Sequence, residues 1–143
     1  KDHVNPNFVD YRNQIMALLN QESKLMEIVK LIGGDVLPDD QKLTLEIARV
    51  IRLGFLQQNA FHQEDTCVPM EKQFLMMDVI LYLYQKSRAL VTIGMPMSVL
   101  KSHDIFDRII AIKYDVPNDK LEMFQEYKTA VDQFFEAVLE ENA

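Results

Sequence analysis

The sequence predicts an all-α fold, a bundle of five to six helices that forms one helical domain over residues 1–143. Only 4 of the 143 residues are glycine, and helix-favouring Leu, Met, Lys, Glu and Gln are abundant. Apolar residues recur at intervals of three and four, which is the spacing of one helix face. Each of the 5 prolines stands where it can open a helix at its first turn. We find neither strand-like alternation nor an internal repeat in the chain.

The first predicted helix follows Asn5-Pro6 and ends at Gly33-Gly34, because glycine adopts the left-handed C-terminal conformation at low cost. Its apolar residues follow the helical spacing. They are Phe8, Tyr11, Ile15, Leu18, Leu25, Val29 and Ile32.

The second predicted helix opens at Pro38, with Asp39 and Asp40 in its first turn, where carboxylates favour the helix dipole. Two neighbouring apolar stripes give it a wide face, which indicates burial on more than one side. The helix is predicted to run for roughly 20 residues, or about 30 Å. Its two ends can therefore serve two different sites.

The remaining helices are also delimited by prolines and glycines. A third helix is predicted from Pro69 to Gly94, and a short one after Pro96. A further helix is marked by apolar residues between Ile105 and Tyr114, and a last one is predicted to open at Pro117. The charged residues at the start of the third helix, Glu71 and Lys72, are expected to be solvated.

Composition limits the classes of function. The net charge is −7, with 22 acidic and 15 basic residues, which argues against nucleic acid or an anionic membrane surface as a ligand. A basic protein partner is compatible with this charge. Cys67 is the only cysteine, so an internal disulfide is excluded and an intracellular compartment fits. No apolar run approaches the roughly 20 residues that span a bilayer, so membrane insertion is not expected.

No catalytic or metal-binding motif stands out in the chain. It contains no G-x-x-x-x-G-K-[ST] phosphate loop, no G-x-G-x-x-G fingerprint and no Cys/His cluster with metal-ligand spacing. The sequence thus predicts no catalytic residue and no metal ligand. Because the chain begins with Lys1 rather than Met, we expect it to be a fragment of a longer protein.

Two segments at opposite ends of the second helix are candidate sites. Asp35, Asp39 and Asp40 form an acidic turn, which is either an ordinary solvated helix N-terminus or a contact for a partner. The far end carries Gln57, Gln58, Asn59, Ala60 and Phe61. These residues form either a plain helix C-terminus with Phe61 in the core, or the edge of a pocket for a planar ligand.

Two long strings resemble one family. They are EIVKLIGGDVLPDDQKLTLEIARVIRLGFLQQNAFHQEDT, residues Glu27–Thr66, and PMEKQFLMMDVIL, residues Pro69–Leu81. They are similar to the C-terminal helical domain of the catalytic A (alpha) subunit of archaeal and vacuolar-type rotary ATPases. The family pattern L-x-x-A-R-x-I-R is filled from Leu45 to Arg52, and F-L-Q-Q-N-A-F-H is filled without a break from Phe55 to His62. The last third, from about Gly94, matches only in helical character.

The resemblance implies part of an ATP synthase or ATPase that couples ATP to proton or sodium transport. In the family a preceding domain carries the phosphate loop and binds ATP or ADP with Mg, so this chain alone should be inactive. The implied partners are the central-stalk subunits and the B subunit. The implied location is the cytoplasmic face of the membrane, peripherally, and the isolated chain is expected to be monomeric.

The resemblance also implies roles for the two candidate segments. The acidic turn of Asp35, Asp39 and Asp40 is similar to the turn that faces the rotating shaft in the related F-type catalytic subunit. At the other end, Phe61 and Ala60 would line the adenine pocket. Gln57 and Gln58 would orient this wall.

Two alternatives come from other classes of protein. A free-standing helical protein-interaction module would fit the acidic surface and the 8 methionines. A small helical enzyme with carboxylates in its core would need inward-facing acidic residues and an E-x-x-H pair, which the sequence does not contain.

Overall fold

The computed structural model describes residues 5–56 and 69–142. Within these ranges the chain forms seven α-helices, α1 Phe8–Ile32, α2 Asp39–Ile51, α3 Met70–Thr92, α4 Met97–Lys101, α5 Ile105–Ile110, α6 Ile112–Asp115 and α7 Phe124–Glu141. Short 3-10 turns occupy Gly34–Val36 and Leu121–Met123, and a π-helical turn, Arg52–Leu56, follows α2. No strand occurs in the described ranges, so the predicted all-α class is confirmed.

The predicted punctuation by proline and glycine is largely confirmed. Pro38, Pro69 and Pro96 are the N-caps of α2, α3 and α4. Gly33 and Gly94 have φ values of 87° and 103°, in the left-handed region that glycine adopts readily. These boundaries depend on local backbone preferences, which is why the sequence locates them well.

The helix predicted between Ile105 and Tyr114 is wrong in detail, because it consists of two short helices. α5 ends at Ile110, Ala111 is a turn residue, and α6 begins at Ile112. Ile105, Ile109 and Ile112 are all buried, so the apolar spacing was a true signal of burial. It does not require one continuous helix.

The predictions for Lys72 and for the start of the last helix are also wrong, for one shared reason. Lys72 is only 2% exposed. Its Nζ donates hydrogen bonds to the backbone oxygen of Val116 at 2.9 Å and to Oδ1 of Asn118 at 2.9 Å. Val116 is extended, with φ −114° and ψ 108°. The segment after α6 is thus tied to α3, and the last helix begins at Phe124 rather than at Pro117.

The hydrophobic core surrounds α2, which contacts α1, α3, α4 and α5. Ile47, Ala48, Val50 and Ile51 are fully buried along it, as the wide apolar face predicts. α7 completes the bundle by packing against α3 and α5. Among the described residues, no helix combines the length and the apolar character needed to cross a bilayer.

Candidate functional site

The acidic turn is a tight, well-defined connection between α1 and α2. The N–H of Gly33 donates to the backbone oxygen of Val29 at 2.9 Å, which closes the end of α1. After the 3-10 turn, the N–H of Leu37 donates to the oxygen of Gly34 at 3.1 Å. The Leu37 side chain is buried. Gly33 supplies the positive φ and Leu37 anchors the turn, so the tip has a fixed shape.

The tip of this turn exposes apolar side chains beside its carboxylates. Leu31 is 83% exposed, Ile32 62% and Val36 60%, and Asp35 is exposed among them. Ile32 belongs to the apolar series of α1 in the sequence, but the structure leaves it exposed at the end of the helix. Grouped large apolar side chains on a surface often mark a protein contact. We call Leu31, Ile32, Val36 and Asp35 the tip surface.

The three predicted aspartates have different surroundings. Oδ1 of Asp39 accepts a hydrogen bond from the N–H of Met97 at 2.9 Å, and the side chain is half-buried. Asp35 and Asp40 are exposed. Because Asp39 already caps α4, Asp35 and Asp40 are the two carboxylates with free access to a partner.

The far end of α2 continues as a helix into the π-helical turn. Arg52 has helical angles of φ −64° and ψ −46°, so the helix is not interrupted at this point. Sequence reasoning did not foresee the wider turn, which often marks functional sites. The predicted adenine-side residues Gln57, Gln58, Ala60 and Phe61 follow Leu56 in the chain and lie outside the described residues.

Two neighbours hold the π-helical turn in place. Gly54 is buried, and a Cβ atom there would lie 3.2 Å from Cα of Ile110, so glycine allows this close approach to α5 without a shift of the Ile110 backbone. Nζ of Lys113 donates a hydrogen bond to the backbone oxygen of Leu53 at 2.5 Å. The turn is therefore fixed by α5 and α6, two elements distant in sequence.

A network of charged side chains ties the middle of α2 to its neighbours. Glu46 is only 6% exposed and accepts a hydrogen bond from Arg49 at 2.8 Å. Arg49 also donates to Asp107 on α5 at 2.8 Å, and Lys101 on α4 lies 3.6 Å from Glu46. These bonds, first to Glu46 and then to Asp107, raise the pKa of the Arg49 guanidinium above its usual value.

A second ion pair connects the start of the π-helical turn to α1. Arg52 Nη2 lies 2.7 Å from Glu22 Oε2, and Arg52 Nε also approaches both carboxylate oxygens. This is the paired geometry that makes Arg–carboxylate contacts strong and directional. Together with the Glu46 network it joins α2 to α1, α4 and α5.

α2 connects the two candidate segments. Across residues 5–56 and 69–142, no group of three or more His, Cys, Asp or Glu side chains is placed to hold a metal ion. The acidic turn and the π-helical turn lie at the two ends of one buried helix that is cross-linked to its neighbours.

Comparisons with known proteins give one consistent answer. A family model described as the C-terminal domain of V and A type ATP synthase matches residues 1–98. "V-type ATP synthase alpha chain 2" of Clostridium tetani is 40% identical over 140 residues, which is 98% of this chain and 24% of that protein. "V-type ATP synthase alpha chain" of Halothermothrix orenii is 41% identical over the same shares of both chains.

The likeness extends beyond the segment that the family model covers. An A-type ATP synthase subunit of Methanopyrus kandleri is 39% identical over 141 residues, or 98% of this chain and 24% of that protein. The last third, which resembles the family only in helical character when motifs alone are considered, thus aligns with these relatives as well. The chain spans about a quarter of the length of these relatives. It belongs to the family of C-terminal domains of V- and A-type ATP synthases.

Proposed function

We propose that this chain is the shaft-facing domain of the catalytic subunit in a V/A-type ATP synthase, and that it links the central shaft to the nucleotide site. The observation that carries the proposal is the helix that runs from the acidic turn through the buried α2 into the π-helical turn, which ends at the exposed Leu56. One end presents an exposed acidic and apolar tip. The other leads directly into the segment that resembles the family's adenine-side residues.

The tip surface supports contact with a basic, partly apolar partner. Leu31, Ile32 and Val36 offer apolar area, while the exposed Asp35 and Asp40 supply negative charge. Complementary charge around an apolar centre gives an interface its orientation and specificity. In this proposal Asp35 and Asp40 contact the shaft, and Asp39 positions the turn by capping α4.

The residues after Leu56, which we call the nucleotide end, contribute to ATP binding rather than to catalysis. Phe61 and Ala60 form part of the apolar wall against adenine, and Gln57 and Gln58 orient that wall. A stacked aromatic ring is worth roughly 1–3 kcal/mol of binding. ATP or ADP with its Mg is held chiefly by the domain that precedes this one, so the isolated chain does not hydrolyse ATP.

Coupling follows from the rigidity of the bundle. The ion pairs of Arg49 with Asp107 and of Lys101 with Glu46 hold α2 against α5 and α4. The pair of Glu22 with Arg52 holds the π-helical turn against α1. When the shaft turns and presses the tip surface, the whole domain moves and shifts the segment after Leu56. Nucleotide affinity then changes with the angle of the shaft, as in other rigid-body transitions.

The working assembly includes the central-stalk subunits and the B subunit, and it lies peripherally on the cytoplasmic side of the membrane. The chain's relatives are named as ATP synthase chains or subunits, which supports this setting. The net charge of −7 favours basic protein surfaces over nucleic acid as its contacts.

A photo-cross-linking experiment tests the shaft contact. The photoreactive amino acid benzoylphenylalanine replaces Asp35 in the assembled complex, and after illumination mass spectrometry identifies the linked protein. The proposal predicts a link to a central-stalk subunit. The same replacement at Gln133, an exposed residue of α7, is the matched control and should give no such link. A link from Asp35 only to other subunits would contradict the proposal.

A kinetic experiment tests the nucleotide end. Phe61→Ala in the assembled complex should raise KM for ATP roughly tenfold, because stacking on the base is lost. Gln133→Ala should leave KM unchanged. An unaltered KM in the Phe61 variant would refute the assignment of this end to adenine.

A further inference from the structure

We propose that a cleft beside the tip surface receives an acidic side chain of the partner that binds there, and that Lys42 pairs with this carboxylate. The inference rests on the proposed function of the tip surface and adds a second contact of opposite charge to it. Asp35 and Asp40 pair with basic groups of the partner, whereas Lys42 pairs with an acidic one. The partner therefore presents both signs of charge at matching positions.

The cleft lies between α1, α2 and α4 and has a volume of about 430 Å³. Gly34 and Asp35 of the acidic turn form part of its wall, so the cleft is continuous with the tip surface. Met26, Leu45 and Met97 make another part of the wall apolar. A cleft of this volume is in the range of pockets that enclose small molecules, so it has room for a side chain from a partner.

The charged residues of the cleft differ in their balance from the chain as a whole. Among the described residues, the cations of the wall outnumber its acids. They are Lys42, Arg49, Arg52 and Lys101, against Glu22, Asp35 and Glu46. The whole chain, in contrast, has a net charge of −7. The cleft is therefore a basic region of an acidic domain, which favours an acidic group of a partner.

Lys42 is the cation of this wall that has no counter-charge. The other cations form ion pairs within the chain. These are Arg52 with Glu22 at 2.7 Å, Arg49 with Glu46 at 2.8 Å and Lys101 with Glu46 at 3.6 Å. Lys42 is half-buried and forms no ion pair with any residue that the structure describes. A carboxylate of the partner can thus pair with Lys42 without displacing an existing ion pair.

Lys42 is held at a fixed position relative to the acidic turn. Its N–H donates to the backbone oxygen of Pro38 at 3.0 Å, which places it in the first turn of α2. The start of this turn is tied to α4 by the bond from the N–H of Met97 to Asp39 at 2.9 Å. A partner whose charges match this spacing binds in one orientation, and the reverse order of charges is repelled. Lys42 thereby contributes to specificity.

Zero-length cross-linking of the assembled complex tests the pair. A carbodiimide joins a lysine amine to a carboxylate that contacts it, and mass spectrometry identifies the linked residues. We expect Lys42 to be joined to an Asp or Glu of the same subunit that benzoylphenylalanine at position 35 captures. Lys120, an exposed residue before the Leu121–Met123 turn, is the control and should give no link to that subunit. Links of Lys42 only to carboxylates of its own chain, or no link at all, would overturn the inference.

Charge substitutions give a second measurement, the Kd of the central-stalk subunits for the rest of the complex. Lys42→Gln should raise this Kd roughly two- to fivefold, the effect of one ion pair near a surface. Lys42→Glu should raise it further because like charges then face each other, and Lys42→Arg should leave it near the parent value. Replacing the cross-linked carboxylate of the partner by lysine should restore binding of the Lys42→Glu variant. An unchanged Kd for Lys42→Glu, or an equal rise for Lys120→Glu, would contradict the pairing.

The outcomes separate this inference from the function on which it rests. If benzoylphenylalanine at position 35 gives no link to a central-stalk subunit, the proposed shaft contact fails and the inference fails with it. If that link forms and Lys42 gives none, only the role of Lys42 is lost. Protection of Lys42 from acetylation by inorganic phosphate, without a cross-link to the partner, would assign the cleft to a small anion and would also overturn the inference.

Discussion

The carboxylate of Asp39 accepts a hydrogen bond from the backbone N–H of Met97 at 2.9 Å, although the two residues are 58 positions apart. The first residue of α2 thereby caps the first turn of α4. This bond gives Asp39 a structural role that its neighbour Asp40 lacks, since the Asp40 side chain is exposed. A motif that reads as three equivalent acidic residues therefore contains one structural residue and two surface residues.

The capping bond predicts unequal effects of two adjacent substitutions. Asp39→Ala should lower the free energy of unfolding by about 1 kcal/mol more than Asp40→Ala, because only Asp39 caps another helix. Both variants lose a carboxylate near the N-terminus of α2, so their difference isolates the bond to Met97. Urea denaturation of the two variants measures this difference. Equal stability losses would show that the bond contributes nothing.

Arg49 should matter more to stability than its exposed partner. Arg49→Met leaves the buried carboxylate of Glu46 with the more distant Lys101, at 3.6 Å, and should cost roughly 1–3 kcal/mol. Asp107 is 77% exposed, so Asp107→Asn should cost less than about 1 kcal/mol. Thermal unfolding, monitored by circular dichroism, measures the stability of both variants. If the Asp107→Asn variant is less stable than Arg49→Met, Arg49 is not the more important member of this ion pair.

The buried Lys72 is expected to hold the segment after α6. Lys72→Met keeps most of the apolar stem but removes the donor to Val116 and Asn118, and should destabilise the protein by about 1–3 kcal/mol. Hydrogen exchange should also become faster in the segment from Val116 to Lys120. Glu71→Gln, at the neighbouring exposed position, is the control. Unchanged exchange in that segment would mean that Lys72 does not organise it.

Stability at alkaline pH should depend on Tyr82. The hydrogen bond to Asp132, followed by burial and the charge of Asp132, raises the pKa of the Tyr82 phenol above its ordinary value of 10.0. The folded state therefore keeps this proton to a higher pH than the unfolded state. The resulting stabilisation is complete below pH 10.0 and is lost as the pH rises through the raised pKa of the folded state.

Tyr82→Phe should make the decline of stability above about pH 10 shallower, and Asp132→Asn should have the same effect. The measurement is the urea midpoint as a function of pH for the two variants and the parent chain. Identical slopes in the parent chain and the Tyr82→Phe variant would remove this explanation.

The sequence predicts features that depend on the local backbone and misses those that depend on distant contacts. Gly33, Pro38 and Pro69 mark true helix boundaries because their conformational preferences act within one or two residues. Pro117 fails as a helix start because Lys72, on another helix, binds the backbone beside it. The burial of a lysine depends on partners that no spacing pattern reveals.

The candidate site also combines features that the local sequence predicts with features that depend on distant contacts. The acidic turn and its exposure are predictable from a Gly-Gly stop followed by Pro38. The capping role of Asp39 and the contact of Lys113 with Leu53 arise from helices that meet only in the folded chain. The adenine-side assignment of Phe61 rests on resemblance, because this residue lies outside the described ranges.

The central claim is that pressure of the shaft on the tip surface is transmitted to the nucleotide site. The most direct test is ATP turnover by the assembled complex before and after benzoylphenylalanine at position 35 is photo-cross-linked to the central stalk. We predict that turnover falls in proportion to the cross-linked fraction, because a tethered tip blocks shaft rotation and the domain movement that accompanies it. Unchanged turnover in a fully cross-linked complex would contradict the account.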